Sequence, residues 1–417
     1  MKPEFSIHPM VAARQACRQK LILARYHLVR KLSSLMLTAK THQDSVYVWP
    51  PFEEQCHEEM RAQLLSNAMH YLNGLDITLR YFVKGDGPLH TFDVEPPFTG
   101  AKSTGSCSLE AARKLIRRAR FTLVWRQEGV RLGSSVRPHI YDVETGVGKC
   151  DANEWLRLTT DLYLQKRKFP DRVVPLPSYP VRNCAVLGTG PSYEQFLEEG
   201  MSYDAWVGAN SIACDERIRK FPNAFAICML DPYIFSPLDS MRPTLQGAFD
   251  LLRETPAVLI TTRNFAAFIE LNFPEDIKRK CLYVSTLGHD GLFLTSGNEL
   301  RRLMVVPFGN VLTDLMLPVA ASISQNVVIY GCDGKKPGSD GFFAKGGAVS
   351  TVDDKQTEQL AEVLDHRMYD SYVEKHNIFT RYVVDCCCQK GVRVYLGKPS
   401  WNFGLRHLKI ISDLAND

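Results

Sequence analysis

Four polar clusters each follow a short apolar run. Gly188-Thr189-Gly190-Pro191-Ser192 comes directly after Cys184 to Leu187, Asn210 after Ala205 to Gly208, Asp231-Pro232 after Ala224 to Leu230, and Asp333 closes Val327 to Tyr330 through Gly331-Cys332. A glycine turn between a strand and a helix brings backbone N–H groups and the positive helix end close to an anion, so a phosphate is the first ligand to expect. The plainer reading is a tight strand-to-helix connection with Ser192 as the cap, and Asn or Asp at the other ends can likewise cap a following helix. Four such ends in succession favour a polar ligand crevice, because open α/β sheets bind ligands at the carboxyl ends of their strands.

The same residues exclude two common nucleotide sites. A dinucleotide fingerprint needs a third glycine and an acidic residue about 20 positions on. Pro191 stiffens the turn instead, and Asn210 stands where an acid is needed. No GxxxxGK[ST] string occurs, which removes the P-loop.

The elements that must position these groups are legible as short apolar strands alternating with helical patterns, the mark of βαβ units and a parallel sheet. Beyond the runs named above, Pro256 to Thr261, Cys281 to Val284 and Val392 to Leu396 read as strands, Tyr193 to Glu199 begins a helix, and Leu303 to Ile323 reads as a loop followed by a buried helix. Upstream, Phe169 to Tyr179 is rich in proline, which resists helix and sheet alike. This divides the chain into an amino-terminal domain (1–170), a linker (171–182) and a second α/β domain (183–417). Within the first, Ile77 to Val83 and Phe121 to Trp125 read as strands and Pro96, Pro97 and Gly100 as a loop, giving a mixed α/β or mostly helical domain. Two basic helices are expected there. One runs from Met10 to Ala39 with Arg14, Arg18, Lys20, Arg25, Arg30 and Lys31, the other from Ala111 to Arg120. A basic amphipathic helix can lie on an anionic membrane, cap a neighbouring domain or mediate oligomerisation.

Composition sets the outer limits. The 417 residues suggest two or three domains, and 45% hydrophobic with 23% charged residues is ordinary for a folded protein. Lys plus Arg (50) nearly balances Asp plus Glu (46), so the net charge of +4 makes no case for wrapping nucleic acid. Twelve cysteines are scattered, among them Cys228, Cys281 and Cys332 in apolar runs and the consecutive Cys386, Cys387 and Cys388, with no CxxC pair or zinc spacing. Buried thiols in a reducing compartment are the expectation. With no secretory signal and no run of some 18 to 20 apolar residues, the expected location is the cytoplasm.

Over roughly Asn183 to Leu396 the motifs resemble, in order, those of bacterial sialyltransferases of glycosyltransferase family 42, with flagellin-glycosylating proteins a second likeness. The family's Gly-Asn-Gly-Pro-Ser turn is similar to Gly188 to Ser192, its Asp-Val-Phe-Arg-Cys-Asn-Gln strand to Asp204 to Ser211, and its Asn-Pro-x-x-Phe segment to Asp231 to Phe235. Its Thr-Ser-Gly loop resembles Phe308-Gly309-Asn310, and its Ser-Gly-Ile-Asp ending resembles Tyr330 to Asp333. The resemblance implies a Rossmann-like sheet of the GT-A-variant type and a donor site formed by Gly188, Thr189, Gly190, Ser192, Asn210, Asp231, Gly309, Asn310 and Asp333. Asn210 falls on the asparagine that contacts the CMP part of the donor. A lid would span about 334–365, where Lys335 and Phe343 stand in place of tyrosines that hold the leaving phosphate and Lys336 and Lys345 add charge. His366 falls on the general base; Asp365 or Asp370 could orient it, and the plainer reading of His366 is a helix-start residue with no catalytic role. The departures are Thr189 for Asn, Asp231 for Asn, Gly309 for Ser, and the two lid positions.

The implied reaction is an inverting transfer of a sialic acid-like or Kdo-like sugar from a CMP-activated donor to a glycan hydroxyl. An imidazole with a pKa near 6.5 is mostly neutral near pH 7 and suits proton removal from that hydroxyl. A CMP leaving group carries less charge than a diphosphate, and no Asp-x-Asp triplet stands in the crevice, although Asp353-Asp354 falls in the lid, so no metal and no cofactor is expected. The implied partners are the CMP-sugar and a glycan or glycolipid acceptor, with peripheral contact at the inner face of a membrane through the first basic helix, no nucleic acid, and scope for a homo-oligomer. His376 reads as a surface or packing residue, and His289-Asp290 as loop chemistry or an acceptor contact. Two rival readings stand beside this one. One is an ATP- and Mg²⁺-dependent phosphotransferase of the pterin diphosphokinase type, which shares a Gly-Pro-Ser turn; the other is a non-catalytic Rossmann-like binding module.

Overall fold

The computed structural model describes residues 45–125, 140–142, 152–170, 172, 177, 179–199, 203–237, 241–284, 309–334 and 366–411. The expected helix from Met10 to Ala39, His289-Asp290, and the expected lid from Lys335 to Asp365 with Phe343 lie outside them.

Two seven-stranded sheets carry the fold. In the first, β1 (Ser45–Trp49) pairs in parallel with β3 (Thr78–Lys84) on one side and β6 (Phe121–Val124) on the other. The short β2 (Phe52–Glu53) joins β3, the antiparallel strands β4 (Leu89–Val94) and β5 (Lys102–Cys107) extend the sheet beyond β3, and β7 (Ile140–Asp142) extends it beyond β6. The amino-terminal region is thus mixed α/β. Of these strands the sequence shows β3 and β6, and not β1, β2, β4, β5 or β7. Lys102–Cys107 is almost wholly exposed at the sheet edge, with no apolar alternation to betray it.

The second sheet is entirely parallel in the order β12-β11-β10-β9-β8-β13-β14. Its strands are β8 (Val181–Leu187), β9 (Ala205–Ala209), β10 (Ala224–Met229), β11 (Val258–Thr262), β12 (Cys281–Val284), β13 (Ser324–Tyr330) and β14 (Arg393–Leu396). All seven coincide with the strands read from sequence to within a few residues. They were legible because a strand buried on both faces is a continuous apolar run. Alternate side chains serve opposite layers: Cys184 and Val186 pack with one core, Ala185 and Leu187 with the other.

Helices fill the layers. Facing the second sheet from the first are α1 (His57–Tyr71) and α3 (Ala152–Lys166); α2 (Leu109–Arg118) covers the outer face of the first sheet. The helix α4 (Tyr193–Glu199) follows the glycine turn, while α5 (Arg242–Glu254), α6 (Arg263–Asn272) and α7 (Glu275–Lys278) link β10 through β12. On the other face lie α8 (Leu312–Ile323), whose first turn is a π-helix over Leu312–Met316, and α9 (His366–Gln389). Helix α2 buries Ala112 and Ile116 against Tyr47 and Trp49 and leaves Arg113, Lys114 and Arg117 to solvent, so its charges are the wet side of a cover.

One hydrophobic cluster runs from the first sheet through α1 and α3 into α5 and α6. Tyr71 stacks on Trp155 at 5.7 Å, and Thr160 Oγ1 donates to Asn264 O at 2.8 Å across this seam. His70 bonds Phe235 O at 2.8 Å, just past Asp231-Pro232. Burial of its ring holds the His70 pKa below the ordinary value.

Candidate functional site

Strands β8 to β12 run outward in one direction, and β13 returns to the other side of β8. The switch point of the sheet therefore lies between β8 and β13, where a ligand crevice is expected in such folds. The Gly188–Ser192 turn and the Gly331–Asp333 segment meet there.

Their contact is unusually close. Gly188 N donates to Tyr330 O and Gly190 N to Gly331 O, both at 2.8 Å. Ser192 N donates to Asp333 Oδ2 at 3.0 Å, and Gly331 N donates to Ser192 Oγ at 2.7 Å. A Cβ on Gly331, which has φ +66°, would lie 1.9 Å from Gly188 O, and one on Gly190 would lie 2.4 Å from Asp333 Oδ2. Glycine is required here by the approach of two backbones as well as by φ. The expectation of an open phosphate nest is thereby revised: the N–H groups of Gly188, Gly190 and Ser192 already have partners, and Asp333 supplies the anion at the start of α4. Thr189 is left exposed on the outer side of the turn.

Asp333 also organises the third wall. Its carbonyl accepts from Trp401 N at 2.6 Å, Asn402 N at 3.0 Å and Ser400 Oγ at 3.1 Å, fastening the segment after β14 to the end of β13. Gly334, at φ +73°, lies so close to this segment that a Cβ would sit 2.6 Å from Asn402 N. None of Ser400, Trp401 or Asn402 was singled out by sequence reading, since a polar triplet after a strand resembles any loop.

At the next strand end, Asn210 has φ +49° and opens a 3₁₀ turn through Cys214. Its Oδ1 is buried and meets no hydrogen-bond donor among the described residues. An unsatisfied buried acceptor costs about 1–3 kcal/mol, and asparagine is among the side chains that take a left-handed φ most readily. The turn is braced against α4 by Arg217, which pairs with Glu194 at 2.7 Å and Asp215 at 2.7 Å.

Asp231 follows β10 and caps the turn Pro232–Phe235 by accepting from Tyr233 N at 2.9 Å. The Asp231 side chain is exposed to solvent. Desolvation raises its pKa above the ordinary carboxylate value, against the opposing Tyr233 hydrogen bond. With strands about 4.8 Å apart, the ends of β10, β9, β8 and β13 span about 14 Å, room for an extended nucleotide-sized ligand.

The helix α8 brings Gly309 and Asn310 to the same edge. Asn310 Oδ1 accepts from Leu312 N at 2.9 Å, a helix cap. Asp314, buried at 1% exposure, accepts from Gly309 N at 3.0 Å and from Thr313 Oγ1 at 2.9 Å. It was passed over in the sequence because it sits inside an apolar run, and the π-turn that holds it has no simple periodicity; such turns recur at functional sites. Gly309 has φ +84°, and a Cβ there would meet nothing within 4 Å among the described residues, so its glycine answers to backbone geometry.

His366 is the first residue of α9. His376 lies further along that helix, before the buried Phe379, Thr380 and Val383. Burial pushes its pKa down to about 4, so its ring is neutral at pH 7. The crossover from β13 to β14 places the amino-terminal half of α9 towards the carboxyl edge of the sheet. Lys335 and Phe343 lie outside the described residues.

Among the described residues, no three His, Cys, Asp or Glu side chains converge as metal ligands, and no helix is long and apolar enough to cross a membrane. The ten described cysteines are free thiols, with Cys184, Cys228, Cys281 and Cys387 buried.

No protein-family model matches the chain. No curated protein matches it in sequence. Among solved structures, the MAf glycosyltransferase from Magnetospirillum magneticum AMB-1 is similar over 65% of this chain and 40% of that one, with a TM-score of 0.35 and 11% identity. The chain therefore spans less than half the length of that protein.

Proposed function

We propose that the protein is a glycosyltransferase acting on a CMP-activated sialic acid-like or Kdo-like sugar, inverting and without a metal. The observation that carries this reading is the gathering of Gly188–Ser192, Asn210, Asp231, Asn310 and Asp333 at one sheet edge around the β8/β13 switch point, in the order in which the sequence motifs resemble the sialyltransferase pattern. In this reading Asn210 Oδ1 accepts an N–H or O–H of the donor, which relieves its burial. Asp333 binds no phosphate itself; it fixes the turn and the Ser400–Asn402 segment, so that both crevice walls are rigid before ligand arrives. His366 takes the acceptor proton.

A thermal-shift series with CMP, CDP, UDP, ATP and NAD, each with Mg²⁺ and with EDTA, tests it, because a ligand of the native state raises apparent stability by mass action. Selective stabilisation by CMP that survives EDTA is expected, followed by loss of sugar transfer and retention of CMP binding in His366→Ala. Stabilisation by ATP with Mg²⁺ alone would replace the proposal with phosphotransfer. Silence from all five nucleotides would favour a non-catalytic module, a reading supported by the internally occupied N–H groups of the glycine turn.

A further inference from the structure

The segment after β14 presents an arrangement that folding stability alone does not require. Trp401 is 44% exposed and Phe403 is 64% exposed, while their neighbours Ser400, Asn402, Gly404 and Leu405 are buried. The backbone beneath them is rigid. Trp401 N and Asn402 N bond Asp333 O, Gly404 N donates to Asn402 Oδ1 at 2.9 Å, and a Cβ on Gly404 would lie 2.4 Å from Asn377 O of α9. The two rings are thus held outward by a scaffold tied to the candidate site.

Between them lies a cation. The Arg406 guanidinium sits 3.9 Å from the Phe403 ring centroid and 5.5 Å from that of Trp401. It makes no ion pair or hydrogen bond among the described residues. From Gly397 to Ile411 the chain carries Lys398, Arg406 and Lys409 and no Asp or Glu. A flat apolar face beside a delocalised cation matches a pyranose ring, whose C–H face stacks on an aromatic, when the sugar also bears a carboxylate that the guanidinium can grip.

We propose that Trp401, Phe403 and Arg406 form an acceptor subsite for a carbohydrate carrying an acidic substituent. The assignment rests on the glycosyltransferase reading for its role as an acceptor site, and on the Trp401–Arg406–Phe403 geometry for the binding itself. Asp333 couples the two, since its carboxylate holds the glycine turn and its carbonyl holds the platform.

The test is intrinsic fluorescence of the full chain. Among the five tryptophans, Trp49, Trp155 and Trp206 are buried and Trp401 is the strongly exposed one. Sialyllactose should give a saturable emission change at millimolar concentration, and neutral lactose one about ten-fold weaker in affinity. Trp401→Ala should abolish the signal for both sugars; Arg406→Gln should keep stacking but bring sialyllactose down to the level of lactose. Both side chains are exposed, so thermal midpoints close to wild type will verify folding. No saturable change with either sugar, an undiminished change in a calorimetric titration of Trp401→Ala, or tighter binding of an eight-nucleotide oligothymidine than of sialyllactose would each overturn the proposal. CMP stabilisation measured on the same preparation separates the two claims: CMP binding without sugar binding defeats the platform alone, and sugar binding without CMP binding leaves the platform standing and defeats its role in transfer.

Discussion

The two sheets share a topological opportunity and use it in opposite ways. In each, the chain leaves a central parallel strand on one side and returns on the other, at β1/β6 in the first sheet and β8/β13 in the second. The first of these edges is filled with rings. Trp125 N donates to Trp49 O, the Trp125 indole bonds Pro50 O, and Phe52 lies 4.8 Å from Trp125 and 5.3 Å from Tyr81. The second edge is made of Gly188, Ser192, Gly331 and Asp333, with Asn210 and Asp231 beside them. A switch point makes a crevice available, and the side chains decide whether it is filled with rings or left polar.

The sharpest way to break the comparison is at the glycines. Gly331→Ala must place a methyl where Gly188 O already lies, at a φ that side chains avoid, so its cost should reach about 3 kcal/mol or more. Gly309→Ala meets nothing within 4 Å among the described residues and should lose only the backbone term, about 1–2 kcal/mol. Urea midpoints of the two variants measure the difference. Equal losses would mean that the two turns at β8 and β13 are not joined as tightly as described.

Trp125→Ala sharpens it from the other side. Removing the ring that covers Phe52 should cost about 3 kcal/mol and leave CMP stabilisation, if present, unchanged once the lower baseline is allowed for. A selective loss of nucleotide response would show that the aromatic edge, too, faces a ligand.

Acid distinguishes the regions by their histidines. The His376 pKa is held near 4 against 6.5 in the unfolded chain, so the unfolded state binds the extra proton between these values. Stability should be complete above about pH 6.5 and fall as pH drops towards 4, by up to about 3 kcal/mol. His57 and His70 on α1 are also lowered, first by burial, and act in the same direction. Urea midpoints between pH 4 and 7 should lose most of their slope in His376→Asn and less in His57→Asn. The reverse ranking would place the acid-sensitive packing at the aromatic sheet.

Sequence and structure part company along the same line that separates the sheets. The seven strands of the second sheet were legible because burial on both faces leaves unbroken runs such as Ala224 to Met229. The polar ends were legible because Gly188, Asn210, Asp231 and Asp333 interrupt those runs. The exposed edge strand Lys102–Cys107, the π-turn that buries Asp314, and the fastening of Trp401 and Asn402 to Asp333 were not, since each depends on a partner distant in the chain or on a backbone form without a sequence period. The glycine turn shows the subtler gap: its residues suggested an anion site, and the anion that fills it is Asp333, more than 140 residues on.

The smallest expected effect is the most informative about purpose. Asp231 holds the Tyr233 N–H with one oxygen while desolvation disfavours its charge, so its folded pKa is raised. A raised carboxylate contributes stability below its unfolded pKa near 4 and loses it as pH climbs through the folded value, which leaves the native state penalised at pH 7. Asparagine keeps the capping oxygen and removes the charge, and it is also the residue found in the pattern this segment resembles. Asp231→Asn should therefore raise the urea midpoint slightly at pH 7, by an amount reduced by solvent screening of the exposed carboxylate, and leave it unchanged near pH 3, where the wild-type carboxyl is already neutral. A gain at pH 7 accompanied by altered CMP affinity would mark Asp231 as a charge retained for a ligand at the expense of stability. A loss at pH 7 would mean that its neighbours favour the carboxylate, and would move Asp231 from the polar crevice into the ordinary caps of the fold.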